Sequence, residues 1–355
     1  MGFVSEAWVL EAAKSPLVRK QIELPDPADD RAIVEVSACG LCHTDLGFAD
    51  GSVMPKKGIP IVLGHEIVGK VVAAGGAGKH LIGKNVLVPA VLPCGSCVFC
   101  RAGRGNACPK QEMPGNDVHG GFATHVDVRS APLVPLDGAP EGFDLREISV
   151  VADAVSTAYQ AIVRADVREG DLAVVVGAGG VGGFAVQIAR ALGARVVAID
   201  VDRGRLDLIE KHGASALYQI DKAKPFKDLR KDVQKVMAGF GVASLRHRIF
   251  ECSGTAPGQQ LAFSLIGSGA TMVQVGYCRD PIEVRLSNLM AFDATVHGSW
   301  GAPVEIYPDC LRLVFERKVA LTPFIQHAPM SRIDALFDDM AHHRLERRAV
   351  LDPRA

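Results

Sequence analysis

Three groups of residues carry side chains able to do chemistry. The first runs from Ala38 to Glu66, with Cys39-Gly40-Leu41-Cys42-His43-Thr44-Asp45 at one end and Gly64-His65-Glu66 at the other. A thiol, a hydroxyl and a carboxylate sit together, and an imidazole and a second carboxylate follow. Cys and His suit zinc, and a carboxylate can complete such a site. A zinc held by three protein ligands keeps one position for a substrate oxygen, which makes it catalytic. Cys42 and His65 are the candidate ligands here, Glu66 is an adjacent ligand or relay, and a further ligand must come from a distant segment.

The second group is Cys94, Cys97, Cys100 and Cys108, spaced C-x2-C-x2-C-x7-C. Four thiolates so close together can close a tetrahedron around zinc, leaving no position for substrate. The surrounding loop has little apolar content, so a metal there would substitute for a core. The alternative is disulfides or idle thiols. Nine Cys residues in clusters, in a chain without an export signal, favour metal or reduced thiols.

The third group is Gly177-Ala178-Gly179-Gly180-Val181-Gly182, a G-x-G-x-x-G. Alone it is a weak signal and could be a bare glycine turn. Here it follows an apolar run, opens a helical pattern, and is followed by a second apolar run ending in Asp200, 18 residues past Gly182. Gly177 permits the tight turn, Gly179 lets a pyrophosphate approach the backbone, and Gly182 allows helix to pack on strand. The helix N-terminus adds N–H donors and positive potential. The Asp200 carboxylate would accept from a ribose 2′-OH and repel a 2′-phosphate, selecting NAD over NADP. Arg203 nearby would soften that choice.

These groups need elements to hold them. Ala32–Val36, Ile61–Leu63, Ile67–Val72, Asn85–Pro89 and Ala123–Val128 read as short strands separated by Gly-rich turns, which predicts a β-rich, distorted barrel. Residues 89–109 are irregular and Cys-rich. The texture changes near residue 150. Asp153–Val163 carries a helical pattern. Strands at Leu172–Val176, Arg195–Ile199, Arg248–Glu251 and Thr271–Val275 then alternate with helices at Val181–Leu192, Arg205–His212 and Pro257–Ile266, which predicts parallel βαβ units. Ile333–Leu345 reads as an amphipathic helix before a short strand at Ala349–Leu351. There is no internal repeat and no low-complexity segment.

Length and charge bound the rest. The 355 residues suffice for two domains, 48% are hydrophobic and 22% charged, and the net charge is -1. Nothing in that balance steers nucleic acid or an anionic membrane. The stretch 1–14 lacks a signal-peptide pattern, and no apolar run reaches the roughly 18–20 residues a membrane span needs. A cytoplasmic location is expected.

Taken in order, Gly40–Asp45, Gly64–Glu66, the four-Cys lobe and the Gly177–Gly182 loop resemble the zinc-dependent medium-chain alcohol dehydrogenases over essentially the whole chain. The resemblance implies an α/β protein. A GroES-like β-rich catalytic domain would be built from 1–150 and 290–355, with a structural zinc lobe at 93–109. A doubly wound, parallel-sheet Rossmann domain at 151–289 would bind NAD. It implies two Zn2+ per chain. Cys42 and His65 match catalytic-zinc ligands, and Asp153 falls where the family places its third ligand, often Cys. Glu66 matches a residue that can replace the zinc's water, Asp45 the acid that orients His65, and Thr44 the hydroxyl that receives the substrate proton. His43 and Arg348 match cations near the pyrophosphate, and Gly180, Val181, Val275 and Trp300 complete the cofactor set. Gly47 departs from the family: many members carry a relay His there, so the proton would leave by ribose hydroxyls and water, or by another base such as His119 or His125.

A closer resemblance is to the subgroup of 6-hydroxycyclohex-1-ene-1-carbonyl-CoA dehydrogenases of anaerobic aromatic (benzoyl-CoA) degradation. It rests on Met113–Asp117, Val150–Val155, Ile249–Gly254, Arg285–Phe292 and His342–Leu345. It implies oxidation of an allylic ring alcohol on a CoA thioester to the 6-oxo enone, with Lys56-Lys57 conceivable at a CoA phosphate. The alternatives are a zinc dehydrogenase of a small free secondary alcohol or polyol, an enone (conjugate) reductase, and a non-enzymatic protein on the same fold. The family also suggests a homo-oligomer, dimer or tetramer, with a small-molecule substrate and neither nucleic acid nor membrane as partner.

Overall fold

The computed structural model describes residues 2–355. The N-terminal part is built from β1 (Phe3–Leu10), β2 (Val18–Leu24), β3 (Arg31–Gly40), β4 (Ile61–Val62), β5 (Glu66–Ala74), β6 (Asn85–Val88), β7 (His125–Arg129) and β8 (Val134–Pro135). β1 pairs antiparallel with β2 and with β4 in a small sheet of order β2-β1-β4. β3 is the long central strand of a second sheet. It pairs antiparallel with β5 over most of its length, and with β7. Alternating apolar residues drive this: Val34, Ile67, Val88 and Val126 point into one core with Leu63 and Phe122.

Register matters for the site. The β3–β5 pairing sets Gly40 opposite Glu66 and Cys39 opposite Ile67, with irregularities between Ile33 and Val34 and between Val36 and Ala38. The two ends of the stretch Ala38–Glu66 are thereby brought side by side.

The middle of the chain forms a six-stranded parallel sheet from β9 (Leu172–Val176), β10 (Arg195–Asp200), β11 (Ala216–Gln219), β12 (His247–Glu251), β13 (Thr271–Gln274) and β14 (Thr295–Gly298). All five residues of β9 are buried, as expected of a central strand covered on both faces. The order is β11-β10-β9-β12-β13-β14. The chain winds outward one way from β9 and then the other from β12. This is the doubly wound Rossmann order, whose ligand crevice lies where the order reverses. The chain then returns to the sheet of β3 with β15 (Ile325–Pro329) and β16 (Arg348–Asp352), which runs antiparallel to β3.

Two compact units result. One comprises the described residues up to Ser156 with Gly301–Leu311 and Leu321–Ala355, and the other Thr157–Trp300 with Arg312–Ala320. The dividing lines thus fall at 156/157 and 300/301 rather than at 150/151 and 289/290, because β14, short and exposed, completes the parallel sheet. No helix among the described residues is long and apolar enough to cross a membrane.

Candidate active site and metal centres

Cys42 caps the short helix His43–Ala49, immediately after β3. Asp45, in that helix's first turn, is completely buried and makes three bonds. Its Oδ2 accepts from the Cys42 N–H at 3.0 Å, and its Oδ1 from the Gly64 N–H at 3.0 Å. Its Oδ1 also lies 3.3 Å from His65 Nδ1. An Nδ1–H given to Asp45 leaves the Nε2 lone pair for a metal, the usual arrangement behind a zinc-binding His.

His65 Nε2 lies 3.6 Å from Asp153 Oδ2, and Cys42 Sγ lies 3.8 Å from the same oxygen. Thr44 Oγ1 is 3.7 Å from Cys42 Sγ. Donor atoms of Cys42, His65, Glu66 and Asp153 all fall within 4.8 Å of one another. Asp153 stands between a 3-10 segment, Leu145–Ala152, and the helix Ala154–Arg164. The buried Tyr307 fixes that junction: its hydroxyl donates to the Ala152 carbonyl at 2.7 Å, and Ser156 Oγ donates to the Ala152 and Asp153 carbonyls at 3.2 Å each.

Glu66 is fully buried, and its Oε1 takes the Arg348 Nη1–H at 2.5 Å. Its Oε2 has no hydrogen-bond partner. A buried carboxylate oxygen left unpaired is costly, and a cation would answer it. Gly40 is required for this arrangement, because a Cβ there would fall 2.0 Å from Glu66 Oε2.

The electrostatics agree. Burial alone would favour a neutral His65, but Asp45 and Asp153 outweigh it and hold its pKa well above the ordinary value. Burial lifts Glu66 to about 7 against the opposing pull of Arg348. Arg348 resists its own burial through Glu66 and stays charged. A thiol and three acids around one imidazole and one guanidinium make a site that favours a divalent cation, and one thiolate, one imidazole and one carboxylate form a chemically sound zinc set.

The Cys lobe is different. Sγ separations are 3.5 Å for Cys97–Cys100 and Cys94–Cys108, 3.7 Å for Cys97–Cys108 and 3.9 Å for Cys94–Cys100. Zn–S bonds of about 2.3 Å imply tetrahedron edges of about 3.8 Å. All four thiols are free. Backbone N–H groups of Ser96 and Cys97 lower the Cys94 pKa to about 5, while burial and its sulfur neighbours raise Cys100 to about 11. The donor set fits a structural zinc with no vacant position.

In the second unit, the glycine loop joins β9 to the helix Gly180–Ala191. Gly177 has φ +91°, and a Cβ at Gly182 would sit 1.7 Å from the Gly177 carbonyl oxygen. Asp200 at the end of β10 folds back on the loop, Oδ2 accepting from the Ala178 N–H at 2.7 Å and Oδ1 from the Asp202 N–H at 2.9 Å. Arg203 forms an exposed ion pair with Asp207 at 2.7 Å. Arg205, not singled out by the sequence, instead reaches the loop, its Nη1 3.6 Å from where a Gly179 Cβ would be. Val275 donates its N–H to the Glu251 carbonyl, and Trp300 is about half exposed.

The structure therefore assembles Cys42, His65, Glu66, Asp153 and Arg348 in one unit and Gly177–Gly182 with Asp200 in the other. His43 lies exposed at the start of its helix. Gly40 and Tyr307 escaped the sequence reading; no spacing rule marks a glycine that clears a carboxylate or a tyrosine that holds a turn. One of the subgroup stretches has structural work of its own. Met113–Asp117 is a self-bonded loop, Asp117 Oδ2 accepting from Met113 N–H at 3.0 Å, and Lys56 is paired with Asp117 at 3.2 Å.

Comparison with known proteins follows the same division. The Alcohol dehydrogenase GroES-like domain matches residues 28–138, and the Zinc-binding dehydrogenase domain matches residues 180–316. The chain is 31% identical over 315 residues to the L-galactonate-5-dehydrogenase of Escherichia coli (strain K12), covering 88% of each chain. It is 29% identical over 348 residues to an alcohol dehydrogenase of Geobacillus stearothermophilus, covering 98% of each. The solved alcohol dehydrogenase of the archaeon Aeropyrum pernix superposes with a TM-score of 0.86 at 25% identity, over 98% of this chain and 100% of that one.

Proposed function

Because the chain belongs to the zinc-binding alcohol dehydrogenase family, oxidoreductases acting on CH–OH, we propose that it oxidises a small free secondary alcohol or polyol with NAD+. The observation that carries this reading is the convergence of Cys42, His65 and Asp153 beside the unpartnered Glu66 Oε2. A zinc ion held there would act as a Lewis acid that lowers the pKa of an alcohol oxygen. Asp45 keeps the His65 ring in one orientation and tautomer. Thr44 Oγ1, beside Cys42, accepts the substrate hydroxyl proton and passes it outward; Gly47 offers no side chain to take it further. Arg348 holds Glu66 back by charge.

The carboxylate of Asp200 at the loop favours NAD over NADP. A second zinc belongs to the Cys lobe, giving two per chain. Nine thiols without a disulfide suit a reducing, cytoplasmic setting. A second copy of the chain is the expected partner: β14 is hydrogen-bonded on one side only, and Leu286, Met290 and Val296 near it are exposed.

The free-alcohol reading stands ahead of the CoA-thioester reading for two reasons. The relatives reported above carry alcohol and sugar-acid dehydrogenase names. Lys56, one of two candidate phosphate contacts, has Asp117 as a neighbouring counter-charge at 3.2 Å, which lessens its pull on a phosphate. The deciding experiment measures NADH formation with secondary alcohols and polyols against the 6-hydroxycyclohexenoyl-CoA thioester, with NADP+ run in parallel. Turnover of polyols supports the proposal; turnover of the thioester alone sinks it.

A further inference from the structure

The segment Ile249–Gly254 holds a fully buried acid that the reaction does not use. Glu251 ends β12, one of the two strands at which the sheet order reverses. Its Oε1 accepts from the Ser253 N–H at 2.8 Å, from the Gly254 N–H at 3.2 Å and from the Ser253 hydroxyl. Its Oε2 accepts from Gln274 Nε2 at 2.7 Å, and the same amide nitrogen donates to the Gly276 carbonyl at 2.7 Å. The Glu251 backbone carbonyl accepts from the N–H groups of Val275 and Gly276 at 3.0 and 2.9 Å. One carboxylate thus ties the turn after β12 to the turn after β13.

Those turns are also pressed against the glycine loop. A Cβ at Gly177 would lie 2.6 Å from Ser253 backbone, and one at Gly276 would lie 2.4 Å from Gly254 N. The glycine loop and Asp200 occupy the β9–β10 side of the reversal, where an adenosine and its pyrophosphate belong. The β12 and β13 turns occupy the other side, where the second nucleoside of a dinucleotide must lie. A buried carboxylate that accepts four hydrogen bonds is a rigid fixture, since replacing a partner leaves a buried polar group unpaired.

We infer that Glu251 is a positioning residue for the nicotinamide half of the cofactor, acting through the two turns it joins and leaving the adenosine half untouched. The inference rests on the dinucleotide reading above. An amide at this position offers one acceptor oxygen and turns N–H donors toward either Gln274 or Ser253 and Gly254, so Glu251→Gln breaks the junction without changing its size.

The test measures NADH and ADP-ribose affinity by titration of the full-length, zinc-loaded protein. Glu251→Gln should weaken NADH at least about tenfold and shift ADP-ribose less than about twofold, with zinc per chain unchanged. Gln274→Leu, which removes the amide's bonds to Glu251 Oε2 and to the Gly276 carbonyl but leaves the Glu251 side chain in place, should show the same split more weakly and carries the test if the first variant does not fold. Equal loss of both ligands would make Glu251 a general structural residue, and no loss of NADH in a folded variant would remove it from cofactor positioning; either overturns the inference. If the parent protein binds neither ligand, the dinucleotide reading itself fails, a result the parent alone reveals.

Discussion

The two four-residue donor clusters of the first unit solve opposite problems. Cys94, Cys97, Cys100 and Cys108 use one kind of donor, come from one loop, and keep three of their four residues partly exposed. Cys42, His65, Glu66 and Asp153 mix sulfur, nitrogen and oxygen, come from three places in the chain, and are mostly buried. Uniform thiolates from one loop make a closed site that substitutes for a missing core. Mixed donors on rigid elements, with a carboxylate oxygen to spare, make a site in which a ligand can be exchanged. The comparison teaches that the surroundings decide which of two clusters can be catalytic, since each offers four donors.

The sharpest way to break that contrast is to remove one donor from each. Cys42→Ser should cut turnover by at least about a thousandfold, roughly 4 kcal/mol of lost transition-state stabilisation, while melting stays near the parent value. Elemental analysis should then find one zinc per chain where the parent holds two. Cys97→Ser should act in the other direction, lowering the melting temperature by on the order of 10 °C because metal binding there is folding free energy. A Cys97→Ser protein that melts like the parent would refute the structural role of the lobe.

Arg348→Met tests the spare carboxylate. It leaves Glu66 buried without its counter-charge, a change that costs roughly 3 kcal/mol when one partner of a buried pair is removed. Denaturant unfolding should show it, and a companion Glu66→Gln change should restore part of the loss. If the double variant is no more stable than Arg348→Met alone, the pair does not act as a pair.

The smallest effect is expected away from both clusters. His119 Nδ1 accepts from the Val62 N–H at 3.1 Å, and burial, helped by Lys57, lowers its pKa. Above the unfolded value of about 6.5 both folded and unfolded forms are neutral and the contribution is complete. As pH falls through that value the unfolded chain protonates first, so stability is lost downward toward the folded pKa. His119→Asn keeps an acceptor but does not titrate. The fall in melting temperature between about pH 7 and about pH 5.5 should be shallower in this variant; an unchanged slope would contradict the assignment.

What could be seen in the sequence follows from which constraints are local. The glycine loop was legible because its steric demands fall within six residues, Gly177 to Gly182, and only glycine meets them. The Cys lobe was legible for the same reason. The strands β9, β10 and β12 announced themselves by apolar runs. The hairpin β1–β2 did not, because β2 is exposed along most of its length and carries charged residues on both faces. β11, the helix Phe226–Ala238 and β14 were also missed; β11 and β14 are four residues each and largely unburied, so neither presents a period to read.

The site divides in the same way. Cys42 and His65 could be proposed from chemistry, since the strand register that joins them is only one hairpin-like excursion long. Asp153 entered through the family resemblance and not through any spacing, because 111 residues separate it from Cys42. The Glu66–Arg348 pair spans 282 residues and is fixed by β16 lying against β3. Such contacts exist only once the sheet is built.

Asp45 has a consequence for how this protein can change over generations. Its carboxylate joins a helix cap to the Gly64 turn and the His65 ring beside it, three groups from two segments served by two oxygens. A longer acid would not fit without shifting all three, and an amide would surrender at least one bond. A lineage that lost Asp45 would therefore lose a support of the helix start and the imidazole orientation in one step.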